Sequence, residues 1–339
     1  MVRLGDVCKK ASSNIAQKDL EGHSGKYPIY GASGLIKHVD FYQQEQPYIA
    51  VVKDGAGIGR VMKLPAKSSV IGTMQYIIPN DIVDISYLAY AMEYMNLSKY
   101  FSGATIPHIY FKDYQKETLP LPALDEQRHI AATLDKVTDL ISKRRQQLDK
   151  LDELVKARFV EMFGDPVSNS KGLPTERGID FFKLSNGRFV PEDKRFESGI
   201  PAYGGNGISW YTDDALLNSD TLVVGRVGFL SGNVHFAKCP LWVTDNAMYV
   251  SYYDKTKYDL LFLCDLMKHI DFRRFQDAGD LKKITQKPFM NMEYIRPTLQ
   301  QQHCYVSFVE QIEGVKATIE HSLEKLETLK KALMQEYFG

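Results

Sequence analysis

The sequence has few features of a metalloprotein, a disulfide-rich protein or a membrane protein. Its 339 residues include four cysteines, which form no Cys-x-x-Cys pair and lie near no histidine cluster. Such isolated cysteines are typical of reduced thiols, so we expect neither a structural metal nor a disulfide. The N-terminal segment has no apolar signal-peptide core, and no apolar run approaches the ~18 residues that cross a bilayer. We therefore expect a cytoplasmic protein without membrane contact.

The chain also lacks an excess of charge. Its 42 Lys and Arg residues balance 42 Asp and Glu residues, so any basic surface for a nucleic acid must be local. Hydrophobic residues make up 44% of the chain and aromatic residues 12%. That composition is sufficient for folded cores, and the length suggests two or three domains.

Catalytic motifs are missing as well. There is no GxSxG, no Cys/His arrangement shared by both halves, and no Asn/Asp-Pro-Pro-aromatic motif of methyl transfer. The segment KDGAGIGRV at 53–61 contains closely spaced glycines, but GxGxG differs from GxGxxG and no Lys-Ser/Thr follows. We interpret it as a hairpin or bulge rather than a nucleotide-binding loop, with Asp54 as a solvated charge. We predict no cofactor.

The sequence contains a long internal repeat. Aligned with itself at an offset of 175, it matches without a gap over about forty residues; upstream the offset is 173, and YPIYGASG at 27–34 meets IPAYGGNG at 200–207. Pairs at the offset of 175 include Pro122/Pro297, Gln127/Gln302, Leu148/Leu323, Leu151/Leu326, Phe163/Phe338 and Gly164/Gly339. Because solenoid units have only ~20–50 residues, we infer a duplicated domain that carries a tail.

Each tail has the pattern of one long helix. Between Asp125 and Phe163 there is no proline or glycine, and apolar residues recur at alternating steps of four and three, interrupted by Arg144. At ~1.5 Å per residue such a helix is about 57 Å long, which exceeds a domain of this size. We predict that the two helices form an antiparallel coiled coil. The alternative is a single amphipathic helix that packs on its own domain.

The segments before each tail are rich in short strands and glycine turns, followed by one helical pattern. We therefore predict an α+β fold with two globular domains in tandem, each followed by a long helix. The predicted boundaries are 1–123 for the first domain, 124–164 for its helix, 165–298 for the second domain and 299–339 for its helix.

Cationic and aromatic residues lie just before each long helix, in the corresponding segments 100–122 and 274–297. Such residues on loops can contact phosphates and base edges. The cations are Lys112 and Lys116 in the first segment and, in and beside the second, Arg273, Arg274, Lys282, Lys283 and Lys287. As isolated residues these are more typical of a solvated surface than of a DNA contact.

The doubled architecture and several motifs resemble the specificity subunit of type I restriction-modification systems. The motifs are YPIYGASG, GATIPHI and LPALDEQRHIAATLD in the first half, with IPAYGGNG and, more loosely, AGDLKKI in the second. The segment LQQQHCYV departs from the usual Glu-Gln-x-x-Ile. The resemblance covers essentially the whole chain.

This resemblance implies a non-catalytic DNA-reading subunit of a larger DNA methyltransferase and endonuclease. Each globular domain would be a target-recognition domain that reads one half of a bipartite, asymmetric site in double-stranded DNA. The helices would act as spacer and as docking surface for two methyltransferase subunits, with a restriction-translocase subunit joining the complex. Two alternatives remain open: an enzyme in its own right, or a coiled-coil scaffold whose heads bind protein or glycan.

We assign candidate residues on this basis. The expected DNA-contacting set adds Lys53, Arg60, Thr105, His108 and Arg226 to the cations named above, with Arg60 and Arg226 as candidate base contacts. The expected partner-binding set comprises apolar residues of the two helices: Leu134, Val137, Leu148, Leu151, Val309, Ile312, Leu323 and Leu326.

Overall fold

The computed structural model describes residues 1–102 and 107–339, which divide into two units. Unit 1 consists of Met1–Gln147 and Ile319–Gly339, and unit 2 of Leu148–Thr318. We refer to residues 1–123 as head 1 and to residues 165–298 as head 2. Each long helix contributes one part to each unit. The four consecutive segments expected from the sequence instead keep each helix undivided.

The two heads hold the same elements in the same order, each followed by a 40-residue helix. Head 1 and its helix contain β1 (Val2–Arg3), α1 (Leu4–Val7), β2 (Cys8–Ser12), β3 (Tyr27–Gly31), β4 (Gly34–Val39), β5 (Tyr48–Val52), β6 (Val61–Leu64), β7 (Ser69–Val70), β8 (Met74–Pro79), α2 (Ile85–Tyr94), α3 (Phe111–Tyr114), β9 (Thr118–Leu119) and α4 (Leu124–Phe163). Head 2 and its helix contain β10 (Thr175–Arg177), α5 (Gly178–Phe181), β11 (Phe182–Asn186), β12 (Ile200–Gly204), β13 (Gly207–Thr212), β14 (Thr221–Gly225), β15 (Val234–Ala237), β16 (Trp242–Val243), β17 (Ala247–Tyr253), α6 (Leu260–Ile270), α7 (Lys287–Asn291), β18 (Glu293–Ile295) and α8 (Leu299–Phe338).

The strand pairing is also the same in both heads. Head 1 has a four-stranded antiparallel sheet in the order β2-β8-β5-β6, a three-stranded sheet β4-β3-β7 and the pair β1-β9. Head 2 has the corresponding sheets β11-β17-β14-β15, β13-β12-β16 and β10-β18. In both three-stranded sheets the last strand pairs in parallel and the others antiparallel. The structure therefore repeats one topology twice.

The central strands form because most of their residues are β-branched and all of them lie inside the head. All residues of β5 (YIAVV) and β14 (TLVVG) are buried, so these strands have no solvent face. The helix that follows each sheet begins at an aspartate. Asp84 accepts hydrogen bonds from two amides at the start of α2, and Asp259 does the same for α6. Such caps satisfy amides that the first helical turn leaves free.

A buried glutamine joins each long helix to its head. The Gln127 side chain accepts a hydrogen bond from the Asp84 amide at 2.8 Å and donates to the carbonyls of Ile82 and Pro122. Gln302 makes the same three bonds to Asp259, Lys257 and Pro297. The glutamine thus fixes the start of the long helix to the start of the preceding helix. This contact gives a physical reason for its presence in both repeats.

The main core of unit 1 combines the head with parts of both long helices. It contains residues of β5 and α2, Ile130 and Leu134 of α4, and Met334 and Phe338 of α8. The main core of unit 2 is built in the same way. It combines α6 with Phe159 and Phe163 of α4 and with Tyr305 of α8. The predicted mixture of helices and sheets with long helices is confirmed.

The glycine-rich segment at 53–61 is the loop of the β5-β6 hairpin, and the corresponding loop in head 2 joins β14 and β15. Gly59 and Gly232 occupy equivalent positions with positive φ. A Cβ at Gly59 would lie 2.5 Å from the Ser98 amide nitrogen, and one at Gly232 would lie 2.8 Å from that of Arg273. Both glycines are therefore needed for close backbone approach. Among the described residues, no helix is long and apolar enough to cross a bilayer.

Candidate nucleic-acid interface

In each head, the segment before α3 or α7 runs beside the central hairpin loop. In head 1 the Gly55 amide donates to the Pro107 carbonyl, and the Ile109 amide donates to the Lys53 carbonyl. In head 2 the Gly228 amide donates to the Lys282 carbonyl, and the Ile284 amide donates to the Arg226 carbonyl. We call these paired segments the loop surface of each head. They bring residues that are far apart in sequence, and that we predicted to contact DNA, onto one surface.

On the loop surface of head 1, a carboxylate joins two of the predicted residues. Lys53 donates to Asp54 at 2.9 Å, and Nδ1 of His108 lies 2.6 Å from the other Asp54 carboxylate oxygen. The Asp54 side chain is only 23% exposed. Burial by itself raises the pKa of Asp54, but the hydrogen bonds with Lys53 and His108 outweigh it and hold that pKa below its usual value. The interpretation of Asp54 as a solvated loop charge is therefore wrong.

The loop surface of head 2 has cations at these positions and no equivalent of Asp54. The residue that corresponds to Asp54 is Val227, which bridges to Lys283 as Asp54 does to His108. Arg226 and Lys283 are exposed. The Lys283 amide donates to the Asp277 carboxylate at 2.9 Å, so that acidic group orders the loop backbone. Within the part of the chain that the structure describes, Arg226 and Lys283 form no ion pair with a carboxylate, so their side chains can extend to a ligand.

The other predicted residues occupy the borders of these surfaces. Arg60 is exposed and donates to the Ala32 carbonyl at 2.7 Å, which holds it beside the three-stranded sheet. Lys112 and Lys287 are exposed on α3 and α7, and Lys116 is exposed just after α3. Thr105 lies outside the described residues.

Arg273 and Arg274, which precede the segment before α7 in head 2, make different contacts. Arg273 binds both oxygens of Asp271, at 2.7 and 3.0 Å. Its charge is therefore partly neutralised within the chain. The Arg274 guanidinium lies 4.9 Å from the centre of the Phe275 ring, a cation–π arrangement. Contact of these residues with DNA stays a prediction.

Sequence reasoning missed an exposed aromatic residue at the tip of the β14-β15 loop. The Phe229 side chain is 84% exposed. Its carbonyl accepts a hydrogen bond from the Gln276 side chain at 2.9 Å, and the same amide group donates to the Ser231 carbonyl at 2.7 Å. Only its position in a glycine-rich loop between cations could have drawn attention to it.

The predicted partner-binding residues of the long helices fall into two groups. Leu134, Val137 and Val309 are buried, and Leu134 and Val309 belong to the cores of their own units. The remaining five are partly exposed: Leu148, Leu151, Ile312, Leu323 and Leu326. Further apolar side chains on the helices are more exposed, namely Leu140, Leu154, Val160, Val315 and Leu329. Within residues 1–102 and 107–339, no cluster of three or more His, Cys, Asp or Glu residues could hold a metal ion.

Comparison with known proteins supports the resemblance seen in the sequence. A family model described as the type I restriction modification DNA specificity domain matches residues 1–152. The specificity subunit of the type I restriction enzyme MjaVIII from Methanocaldococcus jannaschii is 28% identical over 209 residues, which cover 57% of this chain and 46% of that protein. The matched region thus spans about half of that relative.

Two further proteins extend the similarity to the whole chain. A Mycoplasma pneumoniae protein named as a type I specificity subunit is 25% identical over 260 residues, covering 70% of this chain and 68% of that protein. The crystal structure of the specificity subunit of a type I system from M. genitalium superposes with a TM-score of 0.71 at 16% identity. That superposition covers 100% of this chain and 95% of the other. The predicted resemblance to type I specificity subunits is confirmed, and the specificity-domain fold occurs twice in this chain.

Proposed function

We propose that this chain is the cytoplasmic, non-catalytic DNA-recognition subunit of a type I restriction-modification complex. Each head would read one half of a bipartite, asymmetric site in double-stranded DNA. The observation that carries this proposal is the repetition of the loop surface, since both heads place cations on the same hairpin loop and on the segment beside it. Two such surfaces on one chain suit a site with two different halves, because the topology is shared and the side chains differ.

Within the loop surfaces we assign different tasks to different cations. Lys112, Lys116, Lys282, Lys283 and Lys287 would contact phosphates, which position the protein without specifying a base. Arg60 and Arg226 would contact base edges, where an arginine paired with guanine is worth roughly 1–3 kcal/mol at one base position. Lys53 and His108 would act together, because Asp54 holds both.

The long helices would pack antiparallel and set the spacing between the two half-sites. In unit 1, Leu134 of α4 shares a core with Met334 of α8, and Arg145 lies 2.6 Å from Glu327. Residues nearer the end of α4 therefore contact residues nearer the start of α8. Unit 2 has the same trend on its own.

In unit 2, Asp152 of α4 lies 2.9 Å from Lys316 of α8, and the rings of Phe159 and Tyr305 are 5.5 Å apart. Cysteines at Arg145 and Glu327 should therefore cross-link efficiently with a short bismaleimide, after Cys239 and Cys304 have been replaced by serine. Efficient linking instead of cysteines at Arg128 and His303, which parallel helices would align, would contradict the antiparallel arrangement.

Two methyltransferase subunits would dock on exposed apolar side chains that recur in both helices. Leu140 and Val315 are equivalent at the offset of 175, as are Leu154 and Leu329, and all four are exposed. Two equivalent faces suit two copies of one partner. Aspartate at Leu154 and Leu329 should weaken capture of the methyltransferase subunit, whereas glutamate at Lys150 should not. A restriction-translocase subunit would join this assembly.

The decisive experiment is the methylome of a host that carries this chain together with its methyltransferase partner. A bipartite methylated motif is expected. Replacement of residues 1–120 by the head of a related chain should change one half of that motif and leave the other half unchanged. A change in both halves, or methylation without a bipartite motif, would contradict independent reading by the two heads.

Binding titrations at several salt concentrations test the individual contacts. Lys282→Ala should weaken binding to all duplexes about equally and reduce the slope of log affinity against log salt by about one. Lys255→Ala removes an exposed charge that borders a cavity of unit 2 away from the loop surface, and it should leave the slope unchanged. If Lys282→Ala relaxed the choice of one base at an unchanged slope, the phosphate assignment would be wrong.

A further inference from the structure

The side chain of Phe229 is largely exposed to solvent on head 2. Among the described residues it is the most exposed of the large apolar side chains, at 84%. Scattered exposed apolar residues are common on protein surfaces. Phe229 differs from them because hydrogen bonds fix the backbone of the loop that carries it.

Hydrogen bonds fix the loop that carries Phe229. The Ser231 amide donates to the Gly228 carbonyl at 3.0 Å, closing a tight turn with Phe229 as its first central residue. The Gly228 amide binds the Lys282 carbonyl at 2.8 Å, and the Gly232 amide binds the Gly225 carbonyl at 2.8 Å. The side-chain amide of Gln276 bonds to the Phe229 carbonyl on one side of the turn. The ring therefore projects from a rigid tip.

Three cations lie in the two segments around this tip, together with the carboxylates of Asp277 and Asp280. Arg226 lies three residues before Phe229 in the same loop, and the adjoining segment contributes Lys282 and Lys283. The nearby carboxylate of Asp277 is occupied by the Lys283 amide. An apolar ring between cations suits a ligand that offers both phosphates and stacked aromatic faces.

The equivalent tip of head 1 does not carry such a ring. Gly55 corresponds to Gly228 at the offset of 173, so the counterpart of Phe229 is Ala56. The bonds that fix the loop are otherwise similar, since the Ile58 amide donates to the Gly55 carbonyl and the Gly59 amide to the Val52 carbonyl. The two heads therefore share the rigid tip but carry different side chains on it, Phe229 in head 2 and Ala56 in head 1.

We propose that Phe229 is a wedge that inserts its ring between adjacent base pairs in the half-site read by head 2. This inference rests on the proposed DNA-reading function. Apolar side chains that enter a base step unstack it and bend the duplex, and the ring then recovers stacking with the bases. Phosphate contacts from Lys282 and Lys283, together with the base-edge contact of Arg226, would hold the duplex on the tip. Head 1, with Ala56, would bind its half-site without such a wedge.

The test uses the complex of this chain with its methyltransferase subunits and duplexes of the bipartite sequence that the methylome defines. Single 2-aminopurines report unstacking by their fluorescence, and the base to be methylated is left unlabelled because methyltransferases unstack it themselves. One step in the head 2 half-site should brighten on binding, and no step in the head 1 half-site should.

Substitutions then tie the fluorescence to the ring. Phe229→Ala should abolish the increase and weaken binding about tenfold, within the range that base–aromatic stacking contributes. Tyr252→Ala is the matched control, because this exposed tyrosine of the same unit lines a cavity with Val306 and Val309 of α8. It should alter neither quantity. Ala56→Phe should create a new bright step in the head 1 half-site.

The outcomes separate this inference from the proposed function. Tight, salt-dependent binding by the wild-type complex that is unchanged in Phe229→Ala would overturn the wedge and leave DNA reading intact. A loss on replacing one thymine by uracil, without any fluorescence increase, would assign Phe229 to a thymine methyl and also overturn the wedge. No binding of the wild-type complex to the methylome sequence would contradict the proposed function itself.

Discussion

Units 1 and 2 contain the same strands in the same order, but they join head to long helices by different chemistry. In unit 1 the junction includes polar pairs between head and helix. Lys330 lies 2.9 Å from Glu93, and the Tyr94 hydroxyl donates to Gln335 at 2.7 Å. Tyr90 donates in the same way to Asp135 of α4 at 2.7 Å.

In unit 2 the junction has more aromatic contacts, besides one polar pair in which the Tyr305 hydroxyl donates to Asp265 at 2.9 Å. The Phe159 ring stacks on His269 with centroids 3.9 Å apart, and it meets Tyr305 edge to face. The positions equivalent to Glu93 and Lys330 are Lys268 and Val155, which cannot form an ion pair. Both border a cavity of about 1970 Å³.

The comparison of the two units shows which contacts between head and long helix tolerate change. Gln127 and Gln302 make the same hydrogen bonds at the start of both long helices, and the Tyr87–Phe338 ring pair of unit 1 recurs as Phe262–Phe163 in unit 2, whereas the polar pairs of the junction differ. A head can therefore alter its loops, and even its packing on the helices, as long as the glutamine contact keeps the helix start in place. That division suits a protein whose heads would read different sequences while its helices would bind identical partners.

The largest effect should come from the aromatic junction of unit 2. Phe159→Ala removes a fully buried ring, so we expect a loss of about 4 kcal/mol in unfolding free energy. The equivalent change in unit 1, Met334→Ala, should cost about 3 kcal/mol. Hydrogen exchange resolved by unit measures both. Val160→Ala, at an exposed neighbour of Phe159, is the control and should change the free energy by less than ~0.5 kcal/mol. Equal protection in all variants would contradict the role of the aromatic junction.

Loss of the glutamine contact should lower the unfolding free energy equally in both units. Gln127→Leu or Gln302→Leu leaves an amide and two carbonyls, all at least partly buried, without their glutamine partner, and we expect a loss of about 3 kcal/mol in each case. Each change should affect the unit that carries it. Gln300→Leu alters an exposed position on α8 and should be nearly neutral. If one glutamine proved dispensable, the shared contact would not explain its presence in both repeats.

The sequence predicted the elements of the fold well because they depend on local patterns. The absence of proline and glycine in the tails predicts the long helices and the glycine spacing at 53–61 predicts a hairpin or bulge, and both elements are observed. The repeat offsets also placed Gly59 opposite Gly232 correctly. These features are determined within a few residues of the chain or by the duplication itself.

The rest depends on contacts between distant residues, which no local pattern contains. The exchange of helix segments between units requires α8 to pack its last turns on head 1, although head 2 precedes it in sequence. The role of Asp54 depends on His108, more than fifty residues away, and it cannot be found by comparing repeats because the counterpart is Val227. Likewise, Leu134 and Val309 belong to the helix pattern, but only their surroundings show that they are core residues.

A smaller effect should come from Asp54 on the loop surface of head 1, whose contribution to the unfolding free energy should depend on pH. The pKa of Asp54 is lowered in the folded chain, so the stabilisation that it provides is fully present above its unfolded pKa of ~3.9. That stabilisation is lost as pH falls through the lowered, folded value. Asp54→Asn should therefore cost about 1 kcal/mol in unit 1 at pH 7 and progressively less below pH ~4. Urea unfolding at several pH values measures this, and Val227→Ala in unit 2 should show no such pH dependence. A cost that stays constant at low pH would argue against the ion-paired carboxylate.

The smallest effect should come from the polar junction of unit 1. Lys330 is mostly shielded and lies 5.6 Å from the Tyr90 ring centre as well as beside Glu93, which is more than half exposed. Solvent weakens such a pair, so a double-mutant cycle of Lys330→Met and Glu93→Gln should give a coupling of about 0.5 kcal/mol. The coupling should decrease further in 1 M salt because the Debye length falls to ~3 Å. In unit 2 the equivalent residues, Val155 and Lys268, should show no salt-dependent coupling in the corresponding cycle. A coupling in unit 1 that survives high salt would mean that Lys330 acts by packing its aliphatic stem on Tyr90, so that both junctions would be apolar in character.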